Sequence, residues 1–477
     1  MQKSSTLFTR LAYLYLGLPI FIFITGWCNS CVAIIGGLIV IGSIYTACKN
    51  APALCFPTTR TQYIRILILG LLALVWVYIS GIGGLVFQNS DHNCRNPLFE
   101  LLVQNSWPVV LSNPPVILTY YIGFWLPSAL IGKLFNSVQV GFYAQIIWAT
   151  LGVFLVFYLI WSYCKQKSYW VIFLFIFFSG LDALGCILMG KGILLSYAIS
   201  HIEWWYPHFQ LSSFTTQLFW VFNQSLPIWL VVLVMVHEKN NKNLLFLYAC
   251  TFLHSTLPAI GLFPFVVYWY IKNGTRCTYL KTAFVQIRKT IMDSLTFQNI
   301  IGASTVVLIS LSYLSSNISG TNHSWSSLFN ETALLQWLIY FFLIEVGFYL
   351  LIIWENHKRN AIFYLCLGCF LIYPFIRIGN GYDFCMRATL PALVLLYLMI
   401  IKTLQNKKWR AKNHVPLLLL LLALGLGSIT PLHEITRTVY MTRLGYTKPA
   451  SNLSLENFFG LKRENLFLHY FGKTTEN

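Results

Sequence analysis

Long apolar runs constrain this chain more than any other feature. Several reach about 20 residues, the length that crosses the hydrocarbon core of a bilayer. Tyr63 to Phe87 and Leu11 to Trp27 are clear cases. Inside lipid every backbone N–H and C=O needs an internal partner, so only helices and closed barrels span it. A barrel would show short alternating segments instead. Only 10% of residues are charged and mean hydropathy is +0.66, against roughly 25% charged in a soluble domain. The expected fold is therefore all-α: a polytopic transmembrane helical bundle of about 11–13 spans.

The net charge of +18 would suggest nucleic acid in a soluble protein. Here the basic residues sit in short loops between apolar runs, which is the positive-inside pattern, and membrane lipids are the partner it implies. The first apolar run follows Lys3 and Arg10 and lacks a small-residue cleavage site, so it reads as a retained span. The N-terminus is placed inside. Spans then follow near 11–27, 31–48, 63–87, 141–163, 168–190 and 216–236. Residues 244–271 are short for two spans and carry Pro258 and Pro264, which fits a re-entrant or short-helix hairpin. Further spans fall near 299–316, 333–354, 361–377, 389–403 and 415–431.

This topology puts 21 of the 32 Lys and Arg residues inside. Residues 1–431 form one multi-span domain with outer loops at about 88–140, 191–215 and 378–388. Residues 432–477 form a short outer tail. Outside the tail, the outer cations are Arg95, Lys133, Lys191, Arg377 and Arg387. They flank loops that also hold Asp91, Glu203 and Asp383, which suggests one shared polar site.

The densest polar stretch is Gln88-Asn89-Ser90-Asp91-His92-Asn93-Cys94-Arg95-Asn96. Charge at the mouth of a membrane helix is costly and calls for a reason. Asp91 is the candidate general base, because a carboxylate in reach of a hydroxyl can take its proton in the transition state. It is also where a divalent cation, Mg²⁺ or Mn²⁺, would sit. His92 is a candidate second ligand or substrate contact, and a solvated loop is the plain alternative. Arg95 and Arg387, with Lys191, are candidates for binding a phosphate. Asp383 lies four residues before Arg387 and is either a second acid or simply its ion-pair partner. Glu203 and His208 lie among His201, Trp204, Trp205 and Tyr206, a cluster that suits either an interfacial belt or a carbohydrate-lining loop. Asp182, His254 and Glu345 fall inside apolar runs, where an ionisable group is either functional or a hydrogen-bonded structural element.

Cys28-x-x-Cys31 and Cys366-x-x-Cys369 lack further ligands for zinc. Cys94 and Cys385 are both placed outside, so a disulfide between them is an open pairing. No P-loop or G-x-G-x-x-G precedes a helix.

Residues 114–167 contain Pro114-Pro115, Tyr120-Tyr121 and Lys133-Leu134-Phe135, followed by a span closed by Lys165 and Lys167. This segment resembles the Pro-Pro-Leu-x-Tyr-Trp-Leu … Lys-Leu-Phe-Gly stretch of GT-C membrane glycosyltransferases, among them the protein O-mannosyltransferases and the lipid A aminoarabinose transferases. Asp91 has the position of the acidic residue in that family's first large outer loop. The resemblance implies a sugar donor linked to polyprenyl phosphate, inversion at the anomeric carbon, and a glycan, lipid or protein acceptor on the outer face of a bacterial cytoplasmic membrane. The alternatives are a lipid-linked-glycan polymerase or ligase, and a lipid or glycan transporter. Transporters generally show repeats and broken helices at the midplane.

Overall fold

The computed structural model describes residues 4–111, 116–165, 168–191, 201–206, 209–274, 288, 290–315, 339–376, 383–446, 459–461 and 466–473. Pro114, Pro115, Lys167, His208 and Arg377 lie outside the described residues. Helices dominate, and among the described residues seven are long and apolar enough to cross a membrane. Three shorter apolar helices add to these: Gln298–Leu314, Ala361–Phe375 and Leu390–Gln405.

The first helices are α1 (Leu7–Trp27), α2 (Ser30–Lys49) and α3 (Arg60–Ile79). Polar caps start the second and third. Asn29 Oδ1 accepts from Val32 N, and Thr59 with Gln62 forms a capping box. The run expected to span 63–87 stops being helical at Ile79. Gly81, Gly83 and Gly84 follow with φ of +87°, +84° and +74°, values that L side chains rarely adopt. The chain therefore turns sharply, and α4 (His92–Gln104) begins at the polar stretch.

Next come α5 (Leu126–Leu134) and α6 (Val138–Tyr163). Lys133 donates to the carbonyls of Val103 and Asn105, so it caps the C-terminal end of α4. The apolar run at 168–190 is not one helix. It forms α7 (Trp170–Ile176) and α8 (Asp182–Leu188) around the non-helical residues 177–181. The most buried of the seven long apolar helices is α9 (Phe214–His237), with 89% of its apolar stretch inside the molecule. For α3 the figure is 22%, and its Leu67, Leu71 and Leu74 are exposed. Apolar faces of this kind belong against lipid.

The proline-bearing stretch at 244–271 forms a short α10 (Leu244–Ala249) and a 19-residue α11 (Thr256–Gly274), so the second helix is longer than a short-helix hairpin would have, and both prolines lie within it. Then follow α12 (Ala303–Leu314), α13 (Phe348–His357), α14 (Ala361–Ile372), α15 (Asp383–Ala388) and α16 (Leu390–Gln405). Single π-helical turns, Gln298–Gly302 and Leu343–Gly347, precede α12 and α13. At Gly261 in α11 a Cβ would lie 1.9 Å from the Ala388 carbonyl oxygen. Only glycine lets α15 approach this closely. The last helices are α17 (Lys407–Lys412), α18 (His414–Gly427) and α19 (Ile429–Arg443). The helical path thus runs well past residue 431, where an outer tail was expected to begin. It can do so because its polar residues Glu434 and Arg437 pair with each other.

Tertiary contacts sort the loops into two sets. In one, β1 (Ser4–Ser5) pairs with β2 (Leu54–Cys55), Gln298 Nε2 donates to Lys242 O (2.8 Å), and Asn356 Nδ2 donates to Thr403 Oγ1 (3.0 Å). In the other, Phe87 N donates to Thr442 Oγ1 (2.8 Å) and Lys473 N donates to Trp27 O (3.0 Å). There too, β4 (Val116–Leu118) lies between β3 (Val110–Leu111) and β5 (Phe459–Leu461). These contacts give the bundle two distinct ends, and the polar stretch at 88–96 belongs to the second.

Candidate functional site

Three of the expected residues share one face of α4. Asp91 sits at its N-cap position, and Arg95, one turn on, donates from Nη2 to Asp91 Oδ2 at 2.7 Å. The Asp91 side chain is 40% exposed and that of Arg95 only 7%. The acid therefore faces solvent while the guanidinium is held inside. Arg95 lies over the Phe222 ring at 5.4 Å, and His92 stacks on the same ring at 5.7 Å.

The surrounding amides fix the state of His92. Gln88 Nε2 donates to Gly81 O (2.8 Å), and Gln88 Oε1 accepts from Asn96 Nδ2 (2.8 Å), which sets the orientation of that amide. Gln88 Nε2 therefore also donates to His92 Nδ1 (3.0 Å). That contact leaves the ring proton on Nε2. Burial, reinforced by the Arg95 charge, pushes the His92 pKa down to about 3. A neutral, buried imidazole is a positioning group rather than an acid catalyst. Its depressed pKa contributes stability above about pH 6.5, lost as pH falls toward 3. A His92→Gln variant is expected to unfold less steeply in acid. The difference between the two profiles should approach about 1.4 kcal/mol per pH unit between about pH 6 and 4. Parallel melting profiles for the two proteins would contradict this burial.

Arg387, on α15, comes to the same place from a distant part of the sequence. It pairs with Asp383 Oδ1 at 3.2 Å, the partner that the i,i+4 spacing suggested. Burial works against its charge, but Asp383, Tyr120, Tyr121 and Asp91 outweigh that and raise its pKa. Tyr120 in turn is pushed up to about 12 by burial, while Arg387 and Arg95 both pull the other way. Both guanidiniums thus act electrostatically on Tyr120, and Asp91 acts on Arg387. Arg95 Nη1 and Arg387 Nε are both buried and have no hydrogen-bond partner among the described residues.

No family model, curated protein or solved structure matches this chain.

The other candidates lie in a second polar cluster across α9. Glu203 is buried. Its Oε1 accepts from Ser213 N (2.9 Å) and its Oε2 from Gln210 Nε2 (3.0 Å). Both oxygens are occupied, so it holds its loop together. Burial raises its pKa, with His201 opposing and Asp182 adding to the shift. His201 Nδ1 lies 3.0 Å from Glu434 Oε1 and its Nε2 lies 3.5 Å from Glu203. Burial disfavours a charge on His201, but the two carboxylates prevail and raise its pKa. Glu434 Oε2 also accepts from Trp220 Nε1 (2.8 Å) and pairs with Arg437. Lys191 is exposed and donates to Trp204 O (2.8 Å), so it belongs to this loop rather than beside the arginines. Cys94 and Cys385 are both free thiols, so the open disulfide pairing is not formed. Among the described residues no group of three or more His, Cys, Asp or Glu is arranged to hold a metal ion.

Sequence reasoning missed Phe222, one of several aromatic residues in α9, which gives no signal of its own. It also missed the Glu434–Arg437 pair, although the i,i+3 spacing was there to read.

Proposed function

We propose that this is an integral membrane glycosyltransferase, similar to the GT-C type, that uses a polyprenyl-phosphate sugar donor at the outer membrane surface. The observation that carries the reading is the pair of guanidiniums, Arg95 and Arg387, each with one buried and unused N–H, both acting on Tyr120, with the 40%-exposed Asp91 side chain paired to Arg95. A buried N–H without a partner costs on the order of 1–3 kcal/mol, more when charged. A phosphate binding between the arginines removes that cost and is held by charge-assisted bonds.

In this reading Asp91 takes the proton from an acceptor hydroxyl of a glycan, lipid or protein. The freed oxygen attacks the anomeric carbon from the face opposite the phosphate. The carbon–oxygen bond to polyprenyl phosphate breaks, and the arginines hold the charge that develops there. Inversion follows from that geometry. A divalent cation, Mg²⁺ or Mn²⁺, bound at Asp91 would take most of its ligands from water and donor phosphate, as Mg²⁺ commonly does. Glu203, with both oxygens engaged, is poorly suited to be the base.

A second reading, a lipid or glycan transporter, draws support from the break at 177–181 within an apolar run. Both readings require the 88–96 stretch outside, as the Lys/Arg distribution argues. Single cysteines at Ser90 and Trp204, in a chain whose native cysteines are serine, should react with an impermeant maleimide in intact cells. One at Glu355 should react only after lysis. Labelling of Ser90 and Glu355 from the same side would contradict the topology on which the proposal rests.

A further inference from the structure

Residues 177–181 interrupt helix in the middle of an apolar run, yet their backbone is accounted for. Leu181 N donates to Ile344 O (3.1 Å), a carbonyl within the π-helical turn Leu343–Gly347. Tyr349 Oη donates to Ser179 O (3.0 Å). Gly427 lets α18 pack closely, because a Cβ there would lie 2.7 Å from Ser179 O. Three interrupted or closely packed segments therefore meet at one point. Breaks and π-turns of this kind are frequent at functional sites.

Two buried acids occupy that point. Asp182 Oδ2 accepts from Ser179 Oγ (2.7 Å) and Thr430 Oγ1 (2.9 Å). Glu345 Oε1 accepts from Trp205 Nε1 (2.7 Å). Asp182 is 0% exposed and Glu345 2%. Asp182 Oδ1 and Glu345 Oε2 have no donor among the described residues. A Cβ on Gly180, two residues before Asp182, would lie 2.0 Å from Glu345 Oε2, so the two carboxyl groups adjoin, each with one unpartnered oxygen. Two ionised carboxylates cannot satisfy each other there, since each is an acceptor only. One proton between them satisfies both.

We infer that Asp182 and Glu345 form a proton-binding site, a carboxyl pair that shares one exchangeable proton and locks the 177–181 break to the π-turn. The remaining titratable groups that act on the pair are Glu203, Cys186, Tyr349 and Cys385. All of them except Glu203 are neutral near pH 7 in their ordinary states. A nearby anion favours retention of the shared proton. When the proton leaves, the two charges repel across the contact. Glu345 then pulls on Trp205, and through it on the loop that holds Glu203.

Infrared difference spectra of the purified full-length protein, taken across a pH jump, test this. The native chain should show a protonated-carboxyl C=O band that shifts in D₂O and disappears as pH rises. Its thermal stability should fall over the same interval. Asp182→Asn and Glu345→Gln keep a hydrogen bond across the contact but should each remove the band and flatten the stability profile. Thr430→Val leaves both acids in place, so it remains informative should those variants fail to fold. It removes one donor from the Asp182 carboxylate and should move proton release to higher pH. Absence of the band in the native protein would overturn the inference. So would a band unchanged in both acid variants, an unmoved midpoint in Thr430→Val, or a carboxylate signal governed by sodium at fixed pH.

Discussion

Asp91→Asn is expected to lower turnover by roughly 10²–10⁴-fold, the usual loss on removing a general base. The amide keeps the size of the side chain and can still accept from Arg95 and from an acceptor hydroxyl. What it lacks is the basicity to receive the proton. The effect on folding should be small, because the Asp91 side chain is 40% exposed and the amide oxygen still gives the buried Arg95 an acceptor. Turnover and melting temperature therefore separate the two roles of this residue. Were Asp91 only the structural partner of Arg95, Asp91→Asn and Arg95→Ala would lower the melting temperature alike and turnover would follow stability. Full turnover by a stable Asp91→Asn protein would remove Asp91 from the mechanism.

Arg387→Ala is expected to weaken donor affinity about ten- to hundred-fold, corresponding to the roughly 1.5–3 kcal/mol of a hydrogen bond to a charged group. Arg387→Lys should recover only part of this, since an ammonium cannot make a two-pronged contact with phosphate. The side chain is 15% exposed and already paired with Asp383. Removing it leaves that acid 32% exposed and hydrated, so the fold should survive. Equal donor affinity in Arg387→Ala and the native protein would take Arg387 out of the site.

The helical membrane character was plain in the sequence because hydrocarbon imposes it on every span at once. A break within 244–274 was legible because the run is too short for two crossings, but its place was not: Pro258 and Pro264 lie inside α11, and the helix is interrupted earlier, after Ala249. The Asp91–Arg95 and Asp383–Arg387 pairs were legible because i,i+4 spacing is a local rule. The break at 177–181 was not. Phe177, Phe178 and Leu181 keep the run apolar, and the groups that satisfy its backbone, Ile344 O and Tyr349 Oη, lie far along the chain. The helix to Arg443 was hidden for a related reason. His433, Glu434 and Arg437 look like a solvated tail until His201 and Trp220 supply buried partners for Glu434. Polar residues in isolation cannot announce whether their partners come from water or from another helix.

Donor use by the purified protein tests the central claim most directly. A sugar carried on polyprenyl phosphate, supplied with a hydroxyl acceptor in detergent or nanodiscs, should be released as polyprenyl phosphate plus glycosylated acceptor. The reaction should fall in Arg387→Ala and nearly vanish in Asp91→Asn. Movement of the intact lipid-linked sugar across a vesicle membrane, with no sugar–phosphate bond broken, would contradict the account.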